Sequence, residues 1–531
     1  MNQVFANLDI LDELKNRPIF CASIHGDGVR TSGISSCSLG HMIPRGKEQE
    51  PDGVFGSWSW DGKKLLINHD RYGFYPLYYC QTASTFAISP SIPLLVLEGA
   101  PTELDFVGLS VFLRLGFFIG GDTPFKSIRA LPPGSRFEWS NGKLQGSSSL
   151  LCNRVQPLDK KQAIDAFISL FRQAIQRRLP TSDNHVVPLS GGRDSRHILL
   201  ELCAQGHAPK YCLTVYHHPP RPNEDARVAA LVAQALAVRH IVIEQGDRFS
   251  AELRKNLMTN LCSDEHESFV ALADFLRGHG NTVYDGIGGD VLSGGSFLKS
   301  EKLKLYRSGR LLELAEVLLG NNEPILAKVF PYHLYRQMGR ECAIEHLTNE
   351  LARHGDAPNP IGSFYFWNRT RREIALCPYG LLADMPLVYS PYLDHDLYDL
   401  LAGLPAETLL DHRLHTEAIQ RAYPRYADIP FEDKSAQLMD SREENWRFVM
   451  QLAQCVRGSK RWRSKLMRNS YVLPRLFRCL IDRQYGETTG WITPLLLYLF
   501  QLERLSDREI WPFTNSRPAN SKAHFRNNSG F

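Results

Sequence analysis

Residues 186–202 read VVPLSGGRDSRHILLEL. An apolar, β-branched run ends at Ser190, Gly191 and Gly192 follow, and a helical pattern opens at Asp194 and Ser195. Glycines let the backbone approach a ligand closely. Hydroxyls and a new helix N-terminus turn O–H and N–H groups toward it, which is how a chain holds phosphate. The stretch is not a G-x-x-x-x-G-K-[ST] loop and not a G-x-G-x-x-G turn. Two glycines alone most often mark a plain turn between a strand and a capped helix. Hydroxyls on both sides and an Asp at the helix start favour the phosphate reading.

The surroundings favour it too. HVVPLS is followed by DSRHILLELCAQG, KYCLTVY by NEDARVAALVAQALA, RHIVIEQ by a helical stretch near 249–279, and NTVY by DGIGGD at 285–290. Short strands alternating with helices predict a parallel sheet with helices on both faces, whose ligands sit at the carboxyl ends of the strands. SGGRDS and DGIGGD both fall there. DGIGGD alone reads equally well as a glycine-rich turn, but Asp194 and Asp290 on neighbouring strand ends form a pair able to hold Mg²⁺ against phosphate oxygens.

Toward the N-terminus the chain reads as β structure. Residues 54–80 carry turns at Asp61-Gly62 and around Arg71-Tyr72-Gly73, and Asn141-Gly142 predicts a hairpin. A short helix is expected near 103–117. Gly146 to Ser149 reads as a linker, and KKQAIDAFISLFRQAIQRRL opens a second unit with Ile164, Phe167, Ile168, Phe171 and Ile175 at helical spacing. From about 300 the pattern is helical, and residues 511–531 are polar.

The net charge of +4 over 531 residues does not point to nucleic acid. Eleven cysteines show neither C-x-x-C nor zinc spacing. The first residues lack a secretory pattern, and no run reaches about 18 apolar residues. A cytoplasmic protein with reduced thiols and no membrane partner is expected.

SGG-x-DS followed by a glycine-rich, Asp-containing turn resembles the PP-loop synthetase domain of the asparagine synthetase family. DRYGFYPLYY (70–79), TPFKSIRALPPG (123–134) and SPYLDHDLYDLLAGLP (390–405) resemble further motifs of that family, in the family's order. The resemblance implies an α/β protein. An N-terminal Ntn-hydrolase-like αββα sandwich (1–148) would be followed by a doubly wound parallel sheet of the adenine nucleotide alpha hydrolase-like kind (160–445). A helical extension and tail (446–531) would complete the chain. It also implies an AMP-forming carbon–nitrogen ligase that uses Mg-ATP to activate a carboxylate for attack by an amine. Ser190, Gly191, Gly192 and Ser195 would cradle the pyrophosphate. Leu189, Val215 and Gly286 would border the nucleotide, and Asp194 and Asp290 would hold Mg²⁺. Lys434, in FEDKSA, would stabilise the tetrahedral intermediate.

Two departures stand out. Glutamine-using members begin with a catalytic cysteine, whereas this chain starts Met1-Asn2-Gln3, and Cys21 reads as a strand residue. The first domain is therefore expected to be glutaminase-like in fold without that activity, as in β-lactam synthetases and lasso-peptide cyclases. Ile287 stands where asparagine synthetases carry Glu and β-lactam synthetases Tyr, and isoleucine cannot move a proton. Asp264, Glu265, His266 and Glu267 are the alternative acid–base candidates, although Asp264 and Glu267 read first as a capping box. Asn223-Glu224-Asp225 reads as a cap with an acidic first turn. Arg193 and Arg196 read as extra cations for a phosphate or an acidic substrate. Pro188 is tolerable only at a strand end.

The leading expectation is an amide-forming ligase acting on a small molecule, glycan or peptide with an amine not drawn from glutamine. The alternatives are ring closure within one substrate, such as a precursor peptide, and a non-catalytic nucleotide-binding relative. A tRNA-modifying enzyme rests only on the basic, aromatic segment 457–479, which reads first as a solvated helix face.

Overall fold

The structure, a computed structural model, describes residues 10–510 apart from 27, 47–48, 149–153, 434, 436, 459–462 and 486–491. Turn chemistry organises the first unit. β1 (Phe20–His25), β2 (Gly28–Gly33), β6 (Tyr78–Gln81), β7 (Thr85–Ser89) and β8 (Ile128–Ala130) form one sheet in the order β2-β1-β7-β6-β8. β3 (Ser36–Ile43), β4 (Asp52–Trp60), β5 (Leu65–His69), β9 (Arg136–Ser140) and β10 (Lys143–Ser147) form the other, in the order β10-β9-β5-β4-β3. Asn141 and Gly142 join β9 to β10 with φ of 48° and 80°, the paired positive values of a tight hairpin turn. Gly146 and Ser147, expected in a linker, belong to β10, because they complete its ladder with Phe137 and Arg136. Phe20, Trp58, Ile67, Phe86, Ile88 and Trp139 form a buried cluster drawn from both sheets. The buried Asp70 carboxylate organises the turn after β5, accepting N–H groups of Tyr72 (2.9 Å) and Gly73 (2.8 Å). Helices α1 (Ile10–Lys15), α2 (Ile92–Leu97) and α3 (Phe106–Leu115) accompany this unit.

The second unit opens with α4 (Lys160–Gln176), whose Ile164, Phe167, Phe171 and Ile175 are buried and whose Asp159 forms a capping box with Gln162. Five parallel strands follow: β11 (His185–Pro188), β12 (Tyr211–Val215), β13 (His240–Ile243), β14 (Thr282–Tyr284) and β15 (Leu387–Tyr389). Their order is β13-β12-β11-β14-β15. The chain steps outward through α5 (Asp194–Ala204) and α6 (Glu224–Ala235). It then passes through α7 (Arg248–Met258) and α8 (Ser268–Leu276) and returns on the other side of β11. That reversal opens a crevice between β11 and β14 at their carboxyl ends. Pro188 is the last residue of β11, where the lost donor is harmless because Leu189 N–H resumes pairing with Leu213 O at 2.7 Å. β15 was not anticipated: it is three residues long and follows a long helical insertion. Beyond it, 442–458, 469–481 and 492–506 are helical. Among the described residues no helix is long and apolar enough to cross a membrane.

The two units share one core. Tyr72 and Phe74 meet Tyr398 and Phe366 at ring separations of 4.8 and 5.2 Å. Arg71 forks onto Asp399 at 2.5 and 3.1 Å. Deeper still, Arg178 donates to Asp52 of the first unit (2.7 Å) and Asp394 of the second (2.8 Å), and all three side chains are at most 1% exposed. Removing the cation strands buried carboxylates, which typically costs about 3–5 kcal/mol. Arg178→Met is therefore expected to lower unfolding stability by about that amount. Calorimetric unfolding checks this, and a loss below about 1 kcal/mol, the scale of an exposed pair, contradicts it.

Candidate nucleotide site

The loop from Leu189 to Ser195 leaves the centre of the sheet and is tied up from within. Ser190 N–H donates to Ser195 Oγ (3.0 Å), and the two hydroxyls lie 3.2 Å apart. Gly192 N–H reaches Ser190 Oγ at 3.2 Å. Gly191 N–H donates to Asp225 Oδ1 at 2.8 Å. Asp225 sits in the first turn of α6 and holds this loop, a role not apparent when it read as helix-start acidity. Asn223 is the N-cap position, but its side chain accepts from His217 N–H (2.7 Å) rather than from the helix. No side-chain hydrogen bond from the N-cap residue Arg193 caps α5, whose first turn begins at Asp194.

The turn after β14 presses on Asp194. A Cβ on Gly286 would stand 2.8 Å from Asp194 Cβ, and one on Gly289 would stand 2.6 Å from Asp194 Cγ. Only glycine lets the two loops approach this closely. Leu189, Ser190, Gly191, Gly192, Asp194, Ser195 and Gly286 are thus gathered at one crevice. Val215 ends the adjoining β12, where Thr214 Oγ1 donates to Leu189 O at 2.6 Å. Asp290 follows Gly289, is exposed, and accepts Val291 N–H at 2.7 Å. Asp194 keeps 25% of its side chain exposed. Asp194 with the Ser190 and Ser195 hydroxyls, and the exposed Asp290 on the facing turn, offer the kind of oxygen donors that Mg²⁺ takes.

Behind Asp194 lies a buried polar group absent from the sequence reading. His415 Nδ1 is 3.3 Å from Asp194 Oδ1 and 2.9 Å from Ser293 Oγ, while Nε2 is 3.1 Å from both His197 Nδ1 and Tyr392 Oη. Its members come from four separate segments, none of them informative alone.

Other expectations change. Arg196 is buried, donates to Ile429 O (2.9 Å) and Pro430 O (2.5 Å) and stacks on Phe431 at 4.0 Å. Arg193 bonds Thr416 Oγ1 at 2.6 Å. Both cations hold neighbouring chain rather than standing free for a ligand. Lys434 lies outside the described residues; Glu432 N–H donates to Gly191 O at 3.0 Å. Helix α8 starts at Ser268 with Glu267 as N-cap and no side-chain cap, so Asp264 and Glu267 form no capping box. Asp264 packs on the bare Cα of Gly116, and Glu265 pairs with Arg369 at 2.8 Å. Ile287 is buried and apolar. Within 457–479, Arg475 stacks on Tyr471 at 3.5 Å.

Residues 48–149 match the glutamine amidotransferase domain, and residues 166–373 match asparagine synthase. In that order the two domains support an asparagine synthetase family protein, and the synthase domain is that of an ATP-dependent ligase family. The two antiparallel sheets of the first unit carry the part that matches the glutamine amidotransferase domain. Among solved structures the chain is similar to the allosteric regulatory enzyme of purine biosynthesis, at 10% identity over 38% of this chain and 48% of that one, with a TM-score of 0.15. It is also similar to glutamine phosphoribosylpyrophosphate amidotransferase from B. subtilis complexed with ADP and GMP, at 9% identity over 43% and 64%, with a TM-score of 0.16. The chain therefore spans 48% and 64% of those two chains. No curated protein matches it.

Asp285 opens the glycine-rich turn and accepts Ile287 N–H at 2.8 Å. Burial, reinforced by the nearby Asp194 charge, pushes its carboxyl up to about 6. A raised carboxyl stabilises the fold while protonated, and that contribution disappears as pH rises from about 4 through 6. Asp285→Asn retains the acceptor without the charge. In EDTA the variant is expected to match the wild type at pH 4 and to become the more stable of the two above pH 6; thermal unfolding across that range checks this. A stability difference independent of pH contradicts it.

Proposed function

We propose that this chain is an ATP-dependent amide-forming ligase that activates a carboxylate as an acyl-adenylate for attack by an amine not supplied by glutamine. The observation that carries the reading is the meeting of loop 189–195 with turn 285–290 over Asp194 at the carboxyl edge of the sheet. On this reading Ser190, Gly191, Gly192 and Ser195 receive the pyrophosphate, while Leu189, Val215 and Gly286 border the nucleotide. Asp194 and Asp290 hold Mg²⁺, which supplies positive charge against the phosphate oxygens. A substrate carboxylate oxygen bonds the α-phosphorus as the bond to pyrophosphate breaks. The amine then bonds the acyl carbon, AMP departs with the C–O electron pair, and the amine proton passes to solvent or a base. Lys434 is the cation proposed for the tetrahedral intermediate, on the resemblance of FEDKSA to the family's motif.

The independence from glutamine is supported by Cys21. It lies inside β1, paired with Ser32 on one side and Ala87 on the other, and burial pushes its thiol up to about 12. A thiol so placed is a poor nucleophile. With Mg-ATP, ammonium and pooled carboxylates, the products are expected to be AMP and pyrophosphate, with no gain when glutamine replaces ammonium. Asp194→Ala and Asp290→Ala are each expected to lower release by about 100-fold or more. Formation of ADP and phosphate, or undiminished release in both variants, would contradict the proposal.

A further inference from the structure

The crevice explains what would touch a ligand but not what fixes Asp194 there. Its carboxylate belongs to the first residue of α5, and the bare glycines 286 and 289 bound it on one side only by contact, without a hydrogen bond. His415 stands directly behind it and is fully buried, on the helix Leu414–Ala422. Its two ring nitrogens face different elements of the site.

Hydrogen bookkeeping assigns one of them. Ser293 Oγ donates to Gly289 O at 2.6 Å, so its single hydrogen is engaged. The contact of 2.9 Å between Ser293 Oγ and His415 Nδ1 therefore requires the hydrogen to sit on Nδ1. That N–H also lies 3.3 Å from Asp194 Oδ1. The other nitrogen, Nε2, meets His197 Nδ1 and Tyr392 Oη, both at 3.1 Å. Tyr392 Oη donates its one hydrogen to the carbonyl oxygen of Asp194 at 3.3 Å, so the hydrogen that Nε2 accepts comes from His197 Nδ1. His197 is locked by stacking on Phe171 at 3.7 Å, and burial drives its ring strongly toward the neutral form. One imidazole thus touches the Asp194 carboxylate and reaches Gly289 through Ser293, while His197 holds its other nitrogen.

We infer that His415 is a positioning residue that sets the Asp194 carboxylate for metal-bound nucleotide, with Ser293 as its link to the turn after β14. The inference rests on the nucleotide reading above. Groups behind a ligating carboxylate typically change metal affinity by about 10- to 100-fold when removed. The structure already holds the arrangement, so the effect falls on the Mg²⁺-dependent part of binding rather than on the nucleotide alone.

The test is calorimetric titration of ATP, with Mg²⁺ and separately in EDTA, into wild type, Asp194→Ala, His415→Leu, His415→Asn and Ser293→Ala, each with a thermal unfolding curve. His415→Leu is expected to weaken Mg-ATP binding at least tenfold and leave binding in EDTA unchanged. His415→Asn, whose amide N–H stands near the position of Nδ1, is expected to restore most of the loss. Ser293→Ala, a small change that the fold tolerates, is expected to lie between. Equal losses with and without Mg²⁺, or no loss in His415→Leu and Ser293→Ala, would overturn the inference while leaving the nucleotide reading to the Asp194→Ala arm. Absence of Mg²⁺-dependent binding in the wild type would overturn both.

Discussion

Asp194 lies against the bare α-carbons of Gly286 and Gly289, and the site depends on that contact. Any side chain at either glycine would push the carboxylate away, so the two loops form a single surface only because neither turn residue carries a Cβ. The contact in turn requires β11 and β14 to be neighbours, although two strands and four helices intervene along the chain. The sheet order supplies that adjacency. The crevice is a consequence of the chain reversing direction about its central strand.

The first unit reinforces the second without sharing this crevice. Arg178, between Asp52 and Asp394, joins the two units in the driest part of the interface. Asp394 also caps the helix beginning at His395 and receives Arg177 at 3.0 Å. The chain thus uses a single carboxylate to orient a helix and to bridge domains. Around it, Tyr72, Phe74, Phe366 and Tyr398 make the boundary as apolar as either interior. The first unit forms one side of that shared core, and its Cys21 lies in mid-strand.

What the sequence disclosed was local. Strand, glycines and helix start are contiguous in 186–202, and Asn141-Gly142 carries its own turn geometry, so both could be read directly. The motifs at 70–79 and 390–405 identified the family because their residues act close to one another: Asp70 closes its own turn, and Asp394 caps its own helix. What stayed hidden was non-local. Asp225 reads as an ordinary helix-start acid until Gly191 N–H is found beside it. Arg193 and Arg196 read as cations for a ligand until Thr416 and residues 429–431 are seen to occupy them. His415 lies more than two hundred residues from Asp194, and nothing at either end announces the other. β15 is too short for a periodic signal and is defined by its pairing with β14.

The most direct measurement is a crystal structure with Mg²⁺ and α,β-methylene ATP, which cannot release pyrophosphate. Density for the β- and γ-phosphates between Ser190 and Ser195, with a metal ion bridging them to Asp194 and Asp290 and the base beside Leu189 and Val215, is the expected result. Nucleotide bound elsewhere, or phosphates at this crevice with Asp194 and Asp290 turned away from the ion, would contradict the assignment of this crevice as the Mg-ATP site.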